Sequence, residues 1–276
     1  MRMPPRSAPF AFDRSALELE NHWLVLPTKE EGTYGFWCVY LDVTAGFSAR
    51  NFGTFVLDES GHATALPLKE MLTVRMHGDF QAAPMPPAIR NDLGLEAVPE
   101  FLKFYASDVS TPEYRLARGR HLNGVGRFKQ APRLLEPLAV EDASRQGLSY
   151  ELGFAYNALK QPERAVGVLV RAAAEDASNP YVAGELGYAY LKLGRNKEAV
   201  KILLRSVTQV PASNPVQRGQ QALHLARAYH AMGEGHQAQE WFGKAKEWSP
   251  PGSSVGRFFR ELDAKAQSRS LGPSRK

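Results

Sequence analysis

The sequence predicts an α+β fold, in which a small antiparallel β-rich domain precedes a superhelix of stacked helical hairpins. Residues 1–110 contain aromatic and β-branched runs with period-two spacing, which are typical of strands. Residues 146–213 repeat one pattern of small, large and aromatic residues every 34 positions, which is typical of paired helices. The charge balance also changes sign near residue 110, which favours a domain boundary there.

The N-terminal residues predict an antiparallel meander of four or five short strands. The strand candidates are His22–Leu26, Tyr34–Val43, Phe52–Leu57, Ala63–Leu66 and Leu72–Met76. Asp58–Gly61 forms a turn with its glycine in place, whereas Ala82–Pro87 is too rich in proline for regular structure. Val98–Tyr105 predicts a short helix that leads into the repeats. The aromatic residues of this part are expected to fill its core rather than to form a ligand site.

The repeated pattern has a physical basis in helix packing. Its first copy consists of Leu152, Gly153, Tyr156, Ala165 and Leu169, and its second of Leu186, Gly187, Tyr190, Ala199 and Leu203. The glycines stand where two helices approach closely, since a side chain there would hold the helices apart. The tyrosines lie three residues later on the same helix face and fill the adjoining space.

This pattern resembles the tetratricopeptide repeat, although Ser149 and Ala183 stand where the family has Trp. The resemblance implies an all-α superhelix of four repeats, with a capping helix that covers the last apolar face. The repeats are 112–145, 146–179, 180–213 and 219–252, and the cap is 254–268. A five-residue insertion lies in Pro211–Pro215, and Arg118 replaces the repeat's leucine in the first copy. The predicted domains are therefore 1–110 and 111–269, followed by a basic tail at 270–276.

The resemblance also implies a binding site, because the first helix of each such hairpin lines a concave groove. The groove residues that it selects are Arg120, Asn123, Tyr150, Phe154, Asn157, Tyr181, Tyr188, Lys192, Arg227 and His230. The aromatic residues would anchor a bound peptide, the basic ones would suit acidic side chains or a terminal carboxylate, and Asn157 would hydrogen-bond an extended backbone. The family's carboxylate clamp for chaperone tails is not reproduced, because Leu116 and Tyr150 occupy positions expected to hold Lys. In the alternative interpretation the aromatic side chains pack on one another, or the N-terminal domain covers them, and no groove is open.

The charge distribution, the cysteine content and the hydropathy of the sequence limit which kinds of protein the chain can be. Residues 1–110 hold 9 basic and 14 acidic residues, a balance of −5, and residues 111–276 hold 25 and 15, a balance of +10. The single cysteine, Cys38, lies in an apolar run and is expected to be a buried, inert thiol. No apolar run approaches the length of a membrane span, and no secretory signal is expected. These features favour a cytoplasmic protein.

Motifs for catalysis and cofactor binding are absent from the sequence. It has no nucleophile elbow, no P-loop, no zinc-protease motif and no paired C-x-x-C, and Gly124-Val125-Gly126 lacks the third glycine of a dinucleotide fingerprint. His224 and His230 are six residues apart and point to opposite sides of their helix. We therefore expect no enzyme activity, no cofactor and no metal.

The function that we expect is that of a non-catalytic adaptor or scaffold, which binds a peptide or protein segment in the groove of the repeats. In one alternative, the basic C-terminal half docks on nucleic acid or on an anionic membrane. In another, the N-terminal β-rich domain is the functional head and the repeats are an assembly module. Self-association through the open repeat ends is a further alternative.

Overall fold

An antiparallel sheet and a series of helices follow one another along the chain, as the predicted fold class requires. The computed structural model describes residues 9–67, 70–105 and 108–270, with side chains as far as residue 264 in the last helix. Most of the predicted basic tail, 271–276, lies outside these ranges. The chain divides into two compact units, residues 1–134 and 135–276. The predicted division into 1–110 and 111–269 stays a prediction.

The sheet of the N-terminal unit has seven strands within the described residues. They are β1 (Arg14–Ser15), β2 (Trp23–Pro27), β3 (Thr33–Asp42), β4 (Gly46–Leu57), β5 (Ala63–Ala65), β6 (Thr73–Arg75) and β7 (Gln81–Pro84). Their order is β1-β7-β2-β3-β4-β5, with β6 also paired to β4, and every pair is antiparallel. Short 3-10 helices cover Ala16–Leu19 and Glu100–Phe104, the second of them inside the predicted helix Val98–Tyr105.

The sheet differs from the prediction in several respects. It has seven strands within the described residues rather than four or five, and β7 lies between β1 and β2, so the strand order is not that of a simple meander. The segment Ala82–Pro87 was predicted to be irregular, but Pro84 ends β7 and Pro87 begins helix α1 (Pro87–Asp92). A strand end and a helix start are both positions where the missing N–H of proline is tolerated. Strand β4 begins at Gly46, well before the predicted Phe52, since the Asp42 carboxylate accepts the N–H groups of the turn that joins it to β3. A register shift beside Phe36 interrupts the period-two pattern that the prediction used.

Aromatic side chains fill the core of this sheet, as expected. The buried cluster consists of Phe10, Trp23, Val25, Phe36, Phe55, Ala63, Ala83 and Ile89. The Trp23 indole donates to the carbonyl of Glu96 at 2.9 Å, so its only polar atom is satisfied. Cys38 is fully buried, and burial raises the pKa of its thiol to about 12, with the charge of Glu20 adding to the effect.

Helix α2 (Pro112–Gly124) belongs to the same unit as the sheet. Arg118 forms two hydrogen bonds with the Glu20 carboxylate, at 2.8 and 2.5 Å. Arg127, just beyond the helix, forms an ion pair with Asp79. Arg118, which stands where the repeat has leucine, therefore forms an ion pair within the N-terminal unit.

Helices α3 to α10 follow α2 along the chain. They are α3 (Ala131–Glu141), α4 (Leu148–Ala158), α5 (Pro162–Glu175), α6 (Pro180–Lys192), α7 (Asn196–Gln209), α8 (Pro215–Ala231), α9 (Gly235–Trp248) and α10 (Ser254–Ser270). Within the second unit α4–α5, α6–α7 and α8–α9 pack as hairpins, and each first helix also packs on the next first helix. Helix α10 packs on α8 and α9 and buries Val255 and Phe259.

The glycines of the repeat lie at the closest approach within each hairpin. A Cβ at Gly153 would overlap the side chain of Leu169, and a Cβ at Gly187 would overlap that of Leu203. Both leucines are fully buried, so a shift of either side chain would disturb the residues packed around it. The period of 34 residues therefore reflects the same glycine–leucine contact made in two successive hairpins.

Local signals at the helix starts explain where the elements begin. Proline occupies the first turn of α2, α5, α6 and α8, where its missing N–H costs nothing. The Asn179 side chain caps α6 and the Asn214 side chain caps α8 by accepting backbone N–H bonds. Among the described residues, no helix is both long enough and apolar enough to cross a membrane.

Candidate functional site

The first helices of three successive hairpins line one groove of the second unit. The groove has a volume of about 310 Å³ and opens between α4, α6 and α8. Its lining residues are Phe154, Asn157, Ala158, Lys160, Glu185, Tyr188, Gln220, His224 and Arg227. Helical spacing brings these side chains together, since Glu185 precedes Tyr188 by three positions and His224 precedes Arg227 by three.

Aromatic rings stack in pairs on these helices. The ring of Tyr188 lies on that of His224, with centroids 4.7 Å apart and planes at 28°. The Lys192 ammonium lies 5.6 Å from the Tyr188 ring centroid, within range of a cation–π contact. Tyr150 and Phe154 stack at 6.3 Å and 30°. The predicted aromatic residues thus pack partly on their neighbours, while Phe154 and Tyr188 still line the groove.

A buried amide and a buried acid lie at the floor of the groove. The Asn157 Nδ2 group donates to Glu185 Oε2 at 2.7 Å and to the backbone oxygen of Glu185 at 3.0 Å. Both amide hydrogens are therefore used, and Asn157 Oδ1 accepts no hydrogen bond from the part of the chain that the structure describes. Burial raises the pKa of the Glu185 carboxyl to about 7, and the Asn157 hydrogen bond acts in the opposite direction.

His224 is a neutral ring in the same floor. It is 8% exposed, and burial lowers its pKa to about 3, with the positive charges of Arg227 and Lys192 adding to the effect. Its Nδ1 atom is buried and has no hydrogen-bond partner among the described residues. Within those residues, no three His, Cys, Asp or Glu side chains come together as a set of metal ligands.

The structure brings together only part of the predicted groove. Phe154, Asn157, Tyr188 and Arg227 line it, and Tyr150 and Lys192 each contact one of these residues. Tyr181 is 36% exposed, and its hydroxyl accepts a hydrogen bond from the Asn214 amide at 3.2 Å. His230 lines a second pocket of about 410 Å³ between α8, α9 and α10, which also contains Arg227. Arg120, exposed, and Asn123, buried, lie on α2 in the other unit.

Sequence reasoning missed Lys160, Glu185, Gln220 and His224 as groove residues. The signal for Glu185 and His224 was present, since each shares a helix face with a predicted groove residue three positions later. Their position in the floor of a groove becomes visible only when three helices are placed side by side.

Two family models match the second half of the chain, and both describe the tetratricopeptide repeat. One covers residues 158–223 and the other residues 222–251. Residues 158–251 therefore consist of tetratricopeptide repeats, which confirms the resemblance predicted from the sequence. Such repeats generally mediate protein–protein interactions, and the matching models describe paired helices rather than a catalytic domain.

The chain is also similar over about half its length to solved structures of MamA proteins. The structure "MamA MSR-1 C2" is 26% identical, with 53% of this chain and 81% of that chain covered and a TM-score of 0.44. A MamA structure from Desulfovibrio magneticus RS-1 is 21% identical, with 54% and 81% covered and a TM-score of 0.46. No curated protein matches the sequence.

Proposed function

We infer that this protein is a non-catalytic adaptor that holds a segment of a protein partner in the groove between α4, α6 and α8. The observation that carries this proposal is the convergence of three first helices on one groove that contains a stacked Tyr188–His224 pair. Rigid aromatic side chains lose little conformational entropy on binding, so they are favoured as anchors.

The rim of the groove supports the same proposal. Lys160 and Arg227 line the groove and Lys192 lies beside Tyr188, so three cations lie around the aromatic side chains Phe154 and Tyr188. Aromatic side chains with a few placed polar groups are the usual arrangement of a site that buries one side chain of a ligand and orients the polar groups around it. The proposed site uses residues of the second unit alone, and the role of Arg120 and Asn123 stays a prediction.

Truncation of two aromatic residues tests the proposal. The double variant Phe154→Ala, Tyr188→Ala is expected to weaken capture of the partner segment by about 2 kcal/mol or more, since it removes both groove aromatics from α4 and α6. The full-length protein is used to capture partners from the native cell lysate at low and at high salt, and mass spectrometry identifies them. Calorimetry then measures the affinity of the identified segment for the wild type and for each variant.

Val170→Ala is the matched control, because Val170 lies on the second helix α5, is 47% exposed and is absent from the groove. It is expected to bind as the wild type does. If the double variant folds normally and binds its partner with unchanged affinity, the assignment to this groove is wrong. A ligand that is nucleic acid or lipid and leaves at high salt would instead support the alternative of a basic docking surface.

A further inference from the structure

Strand β6 has an open edge. It pairs with β4 on the side away from β3, where the carbonyl of Leu72 accepts the N–H of Asn51 at 2.8 Å. Hydrogen bonding alternates along an antiparallel strand, so Leu72 and Val74 bond toward β4, whereas Thr73 and Arg75 direct their N–H and C=O groups outward. Neither Thr73 nor Arg75 forms a backbone hydrogen bond beyond this ladder with any residue that the structure describes. A further strand would therefore find unpaired donors and acceptors here.

The other edges of the sheet are covered or very short. Strand β5 lies on the same side of β4 as β6, but helix α1 packs on it, and the Asp92 carboxylate accepts the N–H of Ala63 at 3.0 Å. Strand β1, at the opposite end of the sheet, consists of Arg14 and Ser15 alone. Covering and shortening are the usual ways in which proteins keep sheet edges from pairing with other chains. Within the described part of the sheet, β6 lacks such protection.

The side chains around β6 are exposed on both faces of the sheet. Met71 is 52% exposed, Leu72 50% and Val74 39%, and Thr73 and Arg75 are exposed as well. Leu72 and Val74 share one face because they are two positions apart, and Met71 lies on the other. An exposed edge strand that carries large apolar side chains is a template for pairing with another strand.

The sequence of this segment suits pairing with itself. Met71-Leu72-Thr73-Val74-Arg75 has one aliphatic residue on each side of Thr73. Antiparallel pairing centred on Thr73 places Leu72 opposite Val74 of the second copy, and it does so twice. Arg75 then lies opposite Met71 of the second copy. The two arginines are at opposite ends of the paired segment, about 13 Å apart along the strands, so like charges do not meet.

We propose that β6 is a dimerisation edge, which pairs antiparallel with β6 of a second copy of this chain across a two-fold axis at Thr73. The outward N–H and C=O groups of Thr73 and Arg75 gain partners, and Leu72 and Val74 of both copies form one apolar cluster. The same patch serves both copies, so the pairing closes at two chains. The contact is short, and its dissociation constant is therefore expected in the micromolar range, at about 10 to 100 μM.

Sedimentation equilibrium of the full-length protein tests the edge, at concentrations from about 1 to 200 μM. The wild type is expected to be a reversible dimer. Val74→Lys is expected to raise the dissociation constant about tenfold or more, because it introduces a charge into the apolar cluster twice in each dimer. Thr64→Lys is the matched control, since it introduces the same charge at an exposed position of β5, whose edge is covered. It is expected to dimerise as the wild type does.

Cysteine substitution tests the register of the pairing. Residues in a hydrogen-bonded antiparallel pair have Cα atoms about 5.5 Å apart, a separation that a disulfide can span. Thr73→Cys is therefore expected to form a disulfide between two chains on mild oxidation. Arg75→Cys is the matched control, because its two copies lie about 13 Å apart and are expected to stay reduced. Cys38 is fully buried and is not expected to react.

Four outcomes would overturn the inference. The first is a wild type that stays monomeric over the whole concentration range, and the second is a dimer that Val74→Lys does not weaken, since it would use another surface. The third is equal weakening by Thr64→Lys, and the fourth is a disulfide that forms as readily in Arg75→Cys as in Thr73→Cys. The proposed groove belongs to the second unit, so none of these outcomes bears on the proposed function.

Discussion

Glu185 shows how the burial of one residue couples the stability of the fold to pH. A carboxylate taken out of water without a cationic partner is costly, so the folded protein holds this group partly protonated near pH 7. The Asn157 amide lowers that cost without removing it.

The same residue makes stability depend on pH. The pKa of Glu185 rises from 4.5 to about 7 on folding, so the native state holds the proton more tightly than the unfolded state. Its favourable contribution is complete below pH 4.5 and is lost as the pH rises through 7. We expect Glu185→Gln to be more stable than the wild type by about 2 to 3 kcal/mol at pH 8 and to differ little at pH 4. Urea unfolding at both pH values measures this difference, and equal stability at pH 8 would contradict the burial cost.

At the scale of elements, the hairpins depend on the contact between a first-helix glycine and a second-helix leucine. Gly187→Ala is expected to lower the free energy of unfolding by about 1 to 3 kcal/mol, because its Cβ overlaps the buried Leu203. The matched control is Gly167→Ala on α5, where a Cβ would meet nothing within 4 Å. That substitution is expected to stabilise the helix by about 0.5 to 1 kcal/mol. Opposite signs in thermal unfolding are the expected result; two similar values would show that the glycine period does not mark close contacts.

The elements that sequence predicted best are those with a repeated physical cause. The glycine–leucine contact recurs every 34 residues, so α4 to α7 are visible in the pattern of the chain. The proline-rich segment Ala82–Pro87 was predicted wrongly because composition does not show where each proline falls within an element. Pro84 and Pro87 occupy a strand end and a helix start, and only the pairing of β7 with β2 reveals this.

At the scale of the whole molecule, the sequence predicted the order of a sheet and a repeat array but not all the contacts within each unit. Arg118 departs from the repeat pattern because it pairs with Glu20. Glu20 lies 98 positions earlier in the chain, so no local sequence pattern identifies it as the partner. The groove was also predicted only in part. The resemblance to the repeat family selects Phe154, Asn157 and Tyr188, whereas the positions of Glu185 and His224 depend on the packing of three helices.

Site-specific photo-crosslinking in the native cell lysate tests the central claim most directly. A photoreactive phenylalanine analogue replaces Tyr188 in the groove or, as control, the exposed Val170 on α5. The proposal predicts that the probe at position 188 joins a specific protein partner, and that the crosslink is lost when Phe154→Ala is added. Equal crosslinking at both positions, or a partner that reacts only at position 170, would contradict the claim that this groove is the binding site.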